Sequence, residues 1–233
     1  MDFSQNGALD NLITSFGSFD LIVFDWDGTL FDSVSPIIDL FLDAKRDIPE
    51  STQGVALKES GMVPVLEQII TADHAVQVND LKMLLNLEGF TAFRKPAALY
   101  RGVAELLETL WQSGQKMAVV AGRAHAEVLA EMQQMNIDHY FFSVVGADQG
   151  PVKPNPAILH AILALAECVP NRALMVGDSA MDMEMATLAR VSMLGTAYVT
   201  RDHEEYCLKR LQPWQPLAIA ESVEELSQFL LGK

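Results

Sequence analysis

Acidic residues directly follow short apolar runs at two places in this chain of 233 residues. Asp25 and Asp27 come after the run at 21–24, and Asp178 comes after the run at 173–176. Carboxylates that crowd together repel one another, and proteins resolve this with a bound divalent cation or by keeping one carboxyl protonated. Both solutions are chemically useful, because they supply a nucleophile beside a metal or a neutral acid beside a leaving group.

The first pair of acids is separated by Trp26 and followed by Gly28 and Thr29. Two carboxylates one residue apart in an extended segment point to opposite sides, so we expect the turn to curl and bring both into one small volume. Glycine permits such a turn. We expect the Trp26 side chain to point away from the acids and to be packed or to line the interface with the cap.

Two further residues have types that suit the same chemistry. Lys153 opens the segment Lys-Pro-Asn-Pro ahead of a helical pattern, and Asp182 follows Asp178 by four residues at another helix start. An ammonium beside clustered carboxylates favours their ionised forms and neutralises the oxygens of a transferring phosphate. Mg²⁺ prefers a few carboxylates together with phosphate and water oxygens.

Strands and helices must alternate to bring these residues together. Apolar runs predict strands at 19–24, 117–121, 140–145, 173–176, 191–199 and 217–220, and helical stripes lie at 103–111, 126–135 and 157–166. This alternation predicts an α/β fold with a mostly parallel sheet covered by helices, whose sites lie at the carboxyl ends of the strands. Ser222 and Glu225 predict a capping box at the last helix.

One stretch breaks the alternation. Residues 33–96 contain no clear strand, and the segments 36–44, 63–70 and 74–87 read as helices. We therefore predict a core of residues 1–32 and 97–233, with a helical cap at 33–96 that closes over the site.

Three motifs resemble the signatures of the haloacid dehalogenase superfamily of phosphohydrolases. Phe24-Asp25-Trp26-Asp27-Gly28-Thr29-Leu30 resembles DxDGT, Lys153-Pro154-Asn155-Pro156 resembles KPxP, and Gly177-Asp178-Ser179-Ala180-Met181-Asp182 resembles GDxxxD. The resemblance implies a Rossmann-like core with a cap inserted after the first strand. It also implies a magnesium-dependent phosphatase that hydrolyses a small phosphate monoester.

The resemblance further implies a role for each matching residue. Asp25 would attack phosphorus and form an aspartyl-phosphate, and Asp27 would protonate the leaving oxygen before activating water. Lys153 would hold the nucleophile and the phosphoryl group. The Mg²⁺ ligands would be Asp25, Asp178 and Asp182 together with Asp27, the last through its backbone carbonyl.

The chain departs from the family at the end of the second strand, where the usual serine or threonine is Ala121. Losing a hydrogen bond to a charged group costs about 1.5–3 kcal/mol, or about ten- to a hundredfold in rate, so we predict slow turnover. Phosphate would then be bound by the loop of Ala121 and Gly122 and by Lys153. Arg123 opens a helix and is expected to be solvated, with replacement of the lost donor as the alternative.

The predicted cap resembles that of the phosphoglycolate-phosphatase-like branch, and residues 60–67 resemble its substrate-specificity loop. The expected partner is accordingly a small phosphorylated metabolite. A net charge of −15 opposes binding to nucleic acid or an anionic membrane. No export or transmembrane segment is visible in the sequence, so the expected location is the cytoplasm. The two cysteines, Cys168 and Cys207, are expected to be buried, reduced thiols.

Three other functions remain open at this stage. A protein on the same fold could bind a phosphorylated ligand and turn it over poorly, which the alanine at position 121 favours. A receiver domain also combines acids, lysine and magnesium, but its usual length and its adjacent acidic pair disagree with this chain. A phosphomutase would transfer the same phosphoryl group to a sugar instead of water.

Overall fold

The computed structural model describes residues 19–33, 98–198, 208 and 211–232. The chain divides into two compact units, one of Met1–Leu30 with Leu99–Lys233 and one of Phe31–Ala98. Almost all of the predicted cap, including its three helices and the loop at 60–67, lies outside the described residues. The cap boundaries therefore stay a prediction, and the fold described below is that of the first unit, with the short strands at the two ends of the second unit.

The described elements follow the alternation predicted from the sequence. The strands are β1 (Leu21–Asp25), β2 (Phe31–Asp32), β3 (Ala98–Leu99), β4 (Lys116–Val120), β5 (Ser143–Val145), β6 (Ala173–Gly177), β7 (Ser192–Thr196) and β8 (Ile219–Ala220). The helices are α1 (Val103–Gln112), α2 (His125–Gln134), α3 (Ala157–Ala166), α4 (Ala180–Ala189) and α5 (Val223–Leu231). Short 3₁₀ turns occupy Asp138–Tyr140, Pro170–Arg172 and Gln212–Trp214.

Six strands form one parallel sheet in the order β5-β4-β1-β6-β7-β8, and β2 pairs with β3 in a separate two-stranded sheet. The prediction of a parallel α/β fold is confirmed. The strand order reverses at β1, which lies between β4 and β6. In open α/β sheets, ligands bind outside the carboxyl ends of the strands at such a reversal, and this is where β1 delivers its acids.

The five residues of β1 are all buried, which explains why this segment is an unbroken apolar run ending in one acid. Leu21 and Val23 belong to a core cluster that includes Ala118 and Val120 of β4 and side chains of α3 and α4. Helices therefore cover this face of the sheet, and the central strand is held rigidly.

Several predicted features differ from the structure in detail. Of the strands predicted at 191–199 and 217–220, the structure has Ser192–Thr196 and Ile219–Ala220. The strand predicted at 140–145 begins only at Ser143, because the chain first makes a 3₁₀ turn in which the Tyr140 hydroxyl donates to the Glu108 carboxylate. At α5, the Ser222 hydroxyl accepts a hydrogen bond from the Glu225 amide at 3.1 Å. The Glu225 carboxylate, however, accepts from the amide of Glu221 at 2.8 Å, so the predicted capping box forms only in part.

The described helices contain at most ten residues, and none has the length and apolar character required to span a membrane. Cys168 is a free, half-buried thiol, whereas Cys207 lies outside the described residues.

Candidate active site

Four of the predicted site residues meet at the carboxyl edge of the sheet. Asp25 is the last residue of β1, Asp178 directly follows β6, and Asp182 lies in the first turn of α4. Among the described residues, carboxylate oxygens of these three side chains lie within 4.8 Å of one another. Lys153, which precedes α3, reaches the same place. We call these four residues the carboxylate cluster.

The ammonium of Lys153 bridges two of the acids. Its Nζ lies 2.5 Å from Oδ1 of Asp25 and 2.7 Å from Oδ1 of Asp182, and its side chain is only 6% exposed. Burial by itself would lower the pKa of Lys153, but the adjacent carboxylates outweigh burial and hold this pKa well above its usual value. The lysine is therefore a permanent cation inside the cluster.

Asp25 carries a destabilised negative charge. Burial is the main cause that raises the pKa of Asp25 well above its ordinary value, and the charges of Asp182 and Asp178 raise it further. The positive charge of Lys153 only partly offsets these effects. The Trp26 amide donates to Asp25 Oδ1 at 2.7 Å and helps to fix the side chain. Three carboxylates thus face one ammonium, which is an environment that favours binding of a further cation.

Local backbone geometry brings Asp182 and Asp178 close to β1. The Asp182 side chain accepts from the Ser179 amide at 3.1 Å, which closes a capping box at the start of α4. Gly28 has φ +88°, and a Cβ at this position would lie 2.5 Å from Oδ2 of Asp178. The glycine of the turn is thus required both by its backbone conformation and by the close approach of a cluster acid.

The donor set of the cluster fits Mg²⁺. This ion takes hard oxygen ligands at about 2.1 Å, so ligands on opposite sides of it are about 4.2 Å apart. The separations of up to 4.8 Å among the three acids are close to that span. Asp25, Asp178 and Asp182 would therefore hold the ion through their side chains.

Asp27 does not belong to the group of three acids and has a partner of its own. Its Oδ2 lies 2.8 Å from Nε of Arg123, in an ion pair whose two side chains are about 5% exposed. The expectation that Arg123 is solvated is wrong. The pair forms because Arg123 lies in the loop after β4, next to the end of β1. The expected role of Asp27 toward the metal, through its backbone carbonyl, stays a prediction.

Glu131 of α2 completes this second site and was not anticipated from the sequence. It receives two hydrogen bonds from the Arg123 guanidinium, Nη1 donating at 2.7 Å and Nη2 also donating, and one from Nε1 of Trp26 at 2.9 Å. Its spacing offered a signal, since glutamates follow Arg123 at four and eight residues and helical periodicity places such residues on one face. We call Trp26, Asp27, Arg123 and Glu131 the arginine cluster.

Ala121 follows β4 directly and is 3% exposed. Its amide donates to the carbonyl of Val145 at 2.8 Å, so the main chain at this position continues the pairing of the sheet. The side chain lacks a donor, and the guanidinium of Arg123 is already bound to carboxylates. The structure thus offers no side-chain replacement for the missing hydroxyl in this loop. The phosphate-binding roles of Ala121 and Gly122 stay predictions.

Comparison with known proteins gives a consistent result. Residues 22–196 match the model of the haloacid dehalogenase-like hydrolases. A phosphoglycolate phosphatase of Pseudomonas fluorescens is 30% identical over 189 residues, which cover 76% of this chain and 69% of the relative. A phosphoglycolate phosphatase of Pasteurella multocida is 31% identical over 194 residues, covering 77% and 86% of the two chains.

Solved structures show the same fold. A haloacid dehalogenase-like protein from Agrobacterium tumefaciens superposes with a TM-score of 0.65 at 18% identity, covering 92% of this chain and 98% of the other. A hydrolase of the same superfamily from Ehrlichia chaffeensis gives 0.61 at 18% identity, covering 92% and 97%.

Proposed function

The chain belongs to the haloacid dehalogenase-like hydrolase family, and from this premise we propose that it hydrolyses a small phosphate monoester with Mg²⁺, through an aspartyl-phosphate on Asp25. The coarser conclusion, a phosphoric monoester hydrolase, rests on the family and on relatives named phosphoglycolate phosphatase. The observation that carries the finer proposal is the buried ammonium of Lys153 between Asp25 and Asp182, with Asp178 in the same cluster.

In the first step, a carboxylate oxygen of Asp25 attacks phosphorus. The bond from phosphorus to the ester oxygen breaks, and its electron pair stays on that oxygen, which takes a proton from Asp27. Lys153 and the Trp26 amide hold the Asp25 carboxylate at Oδ1, which fixes the orientation of the nucleophile before substrate arrives. The Lys153 charge also offsets negative charge on the transferring phosphoryl group.

In the second step, Asp27 accepts a proton from water as the water oxygen attacks the aspartyl-phosphate. The bond between phosphorus and Asp25 breaks, which releases phosphate and restores the free carboxylate. When bound, Mg²⁺ supplies Lewis-acid polarisation of the phosphoryl oxygens and compensates the charge of the acids.

The substrate class follows from the relatives, and phosphoglycolate is the first compound to test. The cap, which would select among small phosphate esters, lies outside the described residues. We therefore propose the class of small phosphate monoesters and leave the individual ester to experiment.

Ala121 favours a second candidate function, a protein that binds a phosphorylated ligand and turns it over poorly. The position lacks the hydroxyl that the family uses at this strand end, and the nearby guanidinium is held by Asp27 and Glu131. The nucleophile, the lysine and the metal acids are nevertheless all present, so we favour slow hydrolysis.

The test is a screen for Mg²⁺-dependent phosphate release from phosphoglycolate, sugar phosphates, nucleotides and pyrophosphate, with Asp25→Asn as control. Hydrolysis by the wild type that disappears in the variant and in EDTA supports the proposal. Hydrolysis that survives Asp25→Asn would contradict the covalent mechanism. Binding of these compounds without any phosphate release would favour the second candidate.

A further inference from the structure

The arginine cluster holds the proposed proton donor by one defined oxygen. Arg123 donates from Nε to Oδ2 of Asp27 at 2.8 Å, and both side chains are buried. The two terminal nitrogens of the same guanidinium donate to the two oxygens of Glu131. Arg123 therefore uses its Nε–H toward Asp27 and its planar fork toward Glu131, a geometry that lysine cannot reproduce.

Trp26 closes these contacts into a ring. Its Nε1 donates to Oε2 of Glu131 at 2.9 Å, its side chain is 0% exposed, and its main chain continues directly into Asp27. The turn after β1 is thereby tied to α2 through both Trp26 and Asp27. Rotation of the Asp27 side chain would break its hydrogen bond with Arg123 and so disrupt a buried ion pair.

Such fixation matters for the proposed chemistry. A general acid must lie within hydrogen-bond reach of the leaving oxygen, and a displacement of about 1 Å can cost about a hundredfold in rate. The second side-chain torsion of an aspartate has a broad distribution. A contact with another residue is therefore needed to fix which carboxyl oxygen faces the substrate. Arg123 supplies that contact at Oδ2.

We propose that Arg123 is a positioning residue, oriented by Glu131 and Trp26, that fixes the Asp27 carboxyl group so that its other oxygen, Oδ1, exchanges the proton with the substrate. This inference rests on the proposed function. As the bond between phosphorus and the ester oxygen breaks, the proton leaves Asp27 and joins the departing oxygen, while Arg123 keeps its own protons throughout.

The test compares two esters that differ in their need for an acid. The alkoxide of glycolate is a strong base and must be protonated as it leaves, whereas p-nitrophenolate leaves without a proton. The measurement is the single-turnover rate of leaving-group release for wild type and Arg123→Lys with both esters. We expect Arg123→Lys to slow release from phosphoglycolate by about a hundredfold and release from p-nitrophenyl phosphate far less. Another alkyl phosphate from the screen replaces phosphoglycolate if that is the better substrate.

Two milder variants grade the effect. Glu131→Gln keeps the shape but weakens the hold on Arg123, and Trp26→Phe removes only one donor to Glu131. We expect the same selective loss for the alkyl ester, in the order Arg123→Lys, Glu131→Gln, Trp26→Phe. The matched control is Arg172→Lys, because Arg172 also makes two hydrogen bonds to a carboxylate, that of Asp20, but its side chain is 44% exposed. This control should leave both rates unchanged.

Equal slowing of both esters in Arg123→Lys and Glu131→Gln would overturn the inference, because a merely structural role disturbs both reactions alike. Unchanged rates for the alkyl ester would overturn it as well. Melting temperatures of all variants are measured alongside, and if Arg123→Lys does not fold, the split between esters is read from Glu131→Gln. Failure of the proposed function has a different signature, since the wild type would then hydrolyse neither ester, and the inference would fall with it.

Discussion

Asp25 and Asp27 are separated by one residue in the sequence, yet their side chains have different surroundings. Asp25 joins the carboxylate cluster, where three acids face the single ammonium of Lys153. Asp27 joins the arginine cluster, where each of the three guanidinium nitrogens donates to Asp27 or Glu131. A third acid, the exposed Glu127, lies 3.9 Å from the same guanidinium. Both clusters hold more acids than cations, but in the first only two of the three acids contact the ammonium, each through one oxygen, whereas in the second both acids are hydrogen-bonded to the guanidinium.

The difference separates the chemical tasks. A cluster with uncompensated carboxylates attracts a cation and a phosphate ester bound to it, so it suits the nucleophile. A cluster whose acids are hydrogen-bonded to one guanidinium holds a side chain in one orientation, so it suits a group that must deliver a proton in a fixed direction. One turn after β1 serves both tasks because Trp26, between the acids, is itself anchored to Glu131.

The largest expected effect comes from replacing each of the two acids, Asp25 and Asp27, with asparagine in separate variants. Asp25→Asn removes the nucleophile and should lower the turnover rate by on the order of 10⁴-fold or more. Asp27→Asn should lower it by about 10²–10⁴-fold, yet still form the phosphorylated enzyme with p-nitrophenyl phosphate. The measurement is rapid-quench detection of protein-bound phosphate beside p-nitrophenol release.

The two variants should therefore fail differently. Asp27→Asn is expected to give a burst of p-nitrophenol stoichiometric with enzyme, and Asp25→Asn to give none. A burst in both variants, or protein-bound phosphate in Asp25→Asn, would show that the acids are not divided as proposed.

The next largest effect concerns Gly28, which lets Asp178 approach the turn. Gly28→Ala and the control Gly114→Ala both place a side chain at positive φ, +88° and +79°, and in each the backbone strain alone should cost about 1 kcal/mol of stability. Only at Gly28 does the new Cβ meet an acid, since nothing lies within 4 Å at Gly114. We expect Gly28→Ala alone to weaken Mg²⁺ binding by about ten- to a hundredfold.

Calorimetric titration with Mg²⁺ measures this binding, and the rise in melting temperature on adding Mg²⁺ gives a second readout. Equal Mg²⁺ affinity in the two alanine variants would mean that Asp178 does not contribute to the cation site.

An effect of similar size is expected at Ala121, where the end of β4 lacks the hydroxyl donor usual in the family. Ala121→Thr should raise the single-turnover rate by about ten- to a hundredfold. Ala121→Val is the matched control, because it adds the same volume at this buried position without a hydroxyl. If threonine and valine give the same rate, the missing hydroxyl does not limit the reaction.

The carboxylate cluster could be predicted because its residues follow from strand order. Asp25 and Asp178 each come at the end of an apolar run, and parallel strands bring such ends to one edge. Periodicity also predicted α3 correctly, at Ala157–Ala166. The strand expected at 140–145 was too long, because the Trp111, His139 and Tyr140 rings pack together in a turn rather than in a sheet.

The arginine cluster could not be predicted in the same way. Arg123 is buried because it meets Asp27, 96 residues earlier, and Glu131, eight residues later. The spacing of Glu131 from Arg123 is a local signal for that contact, but an arginine at a helix start is ordinarily solvated, and no local pattern indicates that Asp27 lies beside it. Such a buried ion pair depends on tertiary structure, which periodicity and motif spacing do not contain.

The smallest expected effect tests the contrast between the two clusters most directly. Replacement by asparagine should raise the folding stability at Asp25 and lower it at Asp27. When no metal is bound, burial and the charges of Asp182 and Asp178 raise the pKa of Asp25. The folded state therefore binds the Asp25 proton more tightly than the unfolded state does, and it loses stability as the pH rises from the unfolded pKa of about 3.9 through the raised folded pKa. In EDTA at pH 8, Asp25→Asn should therefore stabilise the protein, by about 1 kcal/mol, and flatten this decline. Asp27→Asn should destabilise it, because Arg123 would lose the charge that compensates it in a buried site. Urea unfolding between pH 5 and 8 measures both, and a stability loss in Asp25→Asn under these conditions would contradict the charge imbalance on which the metal site depends.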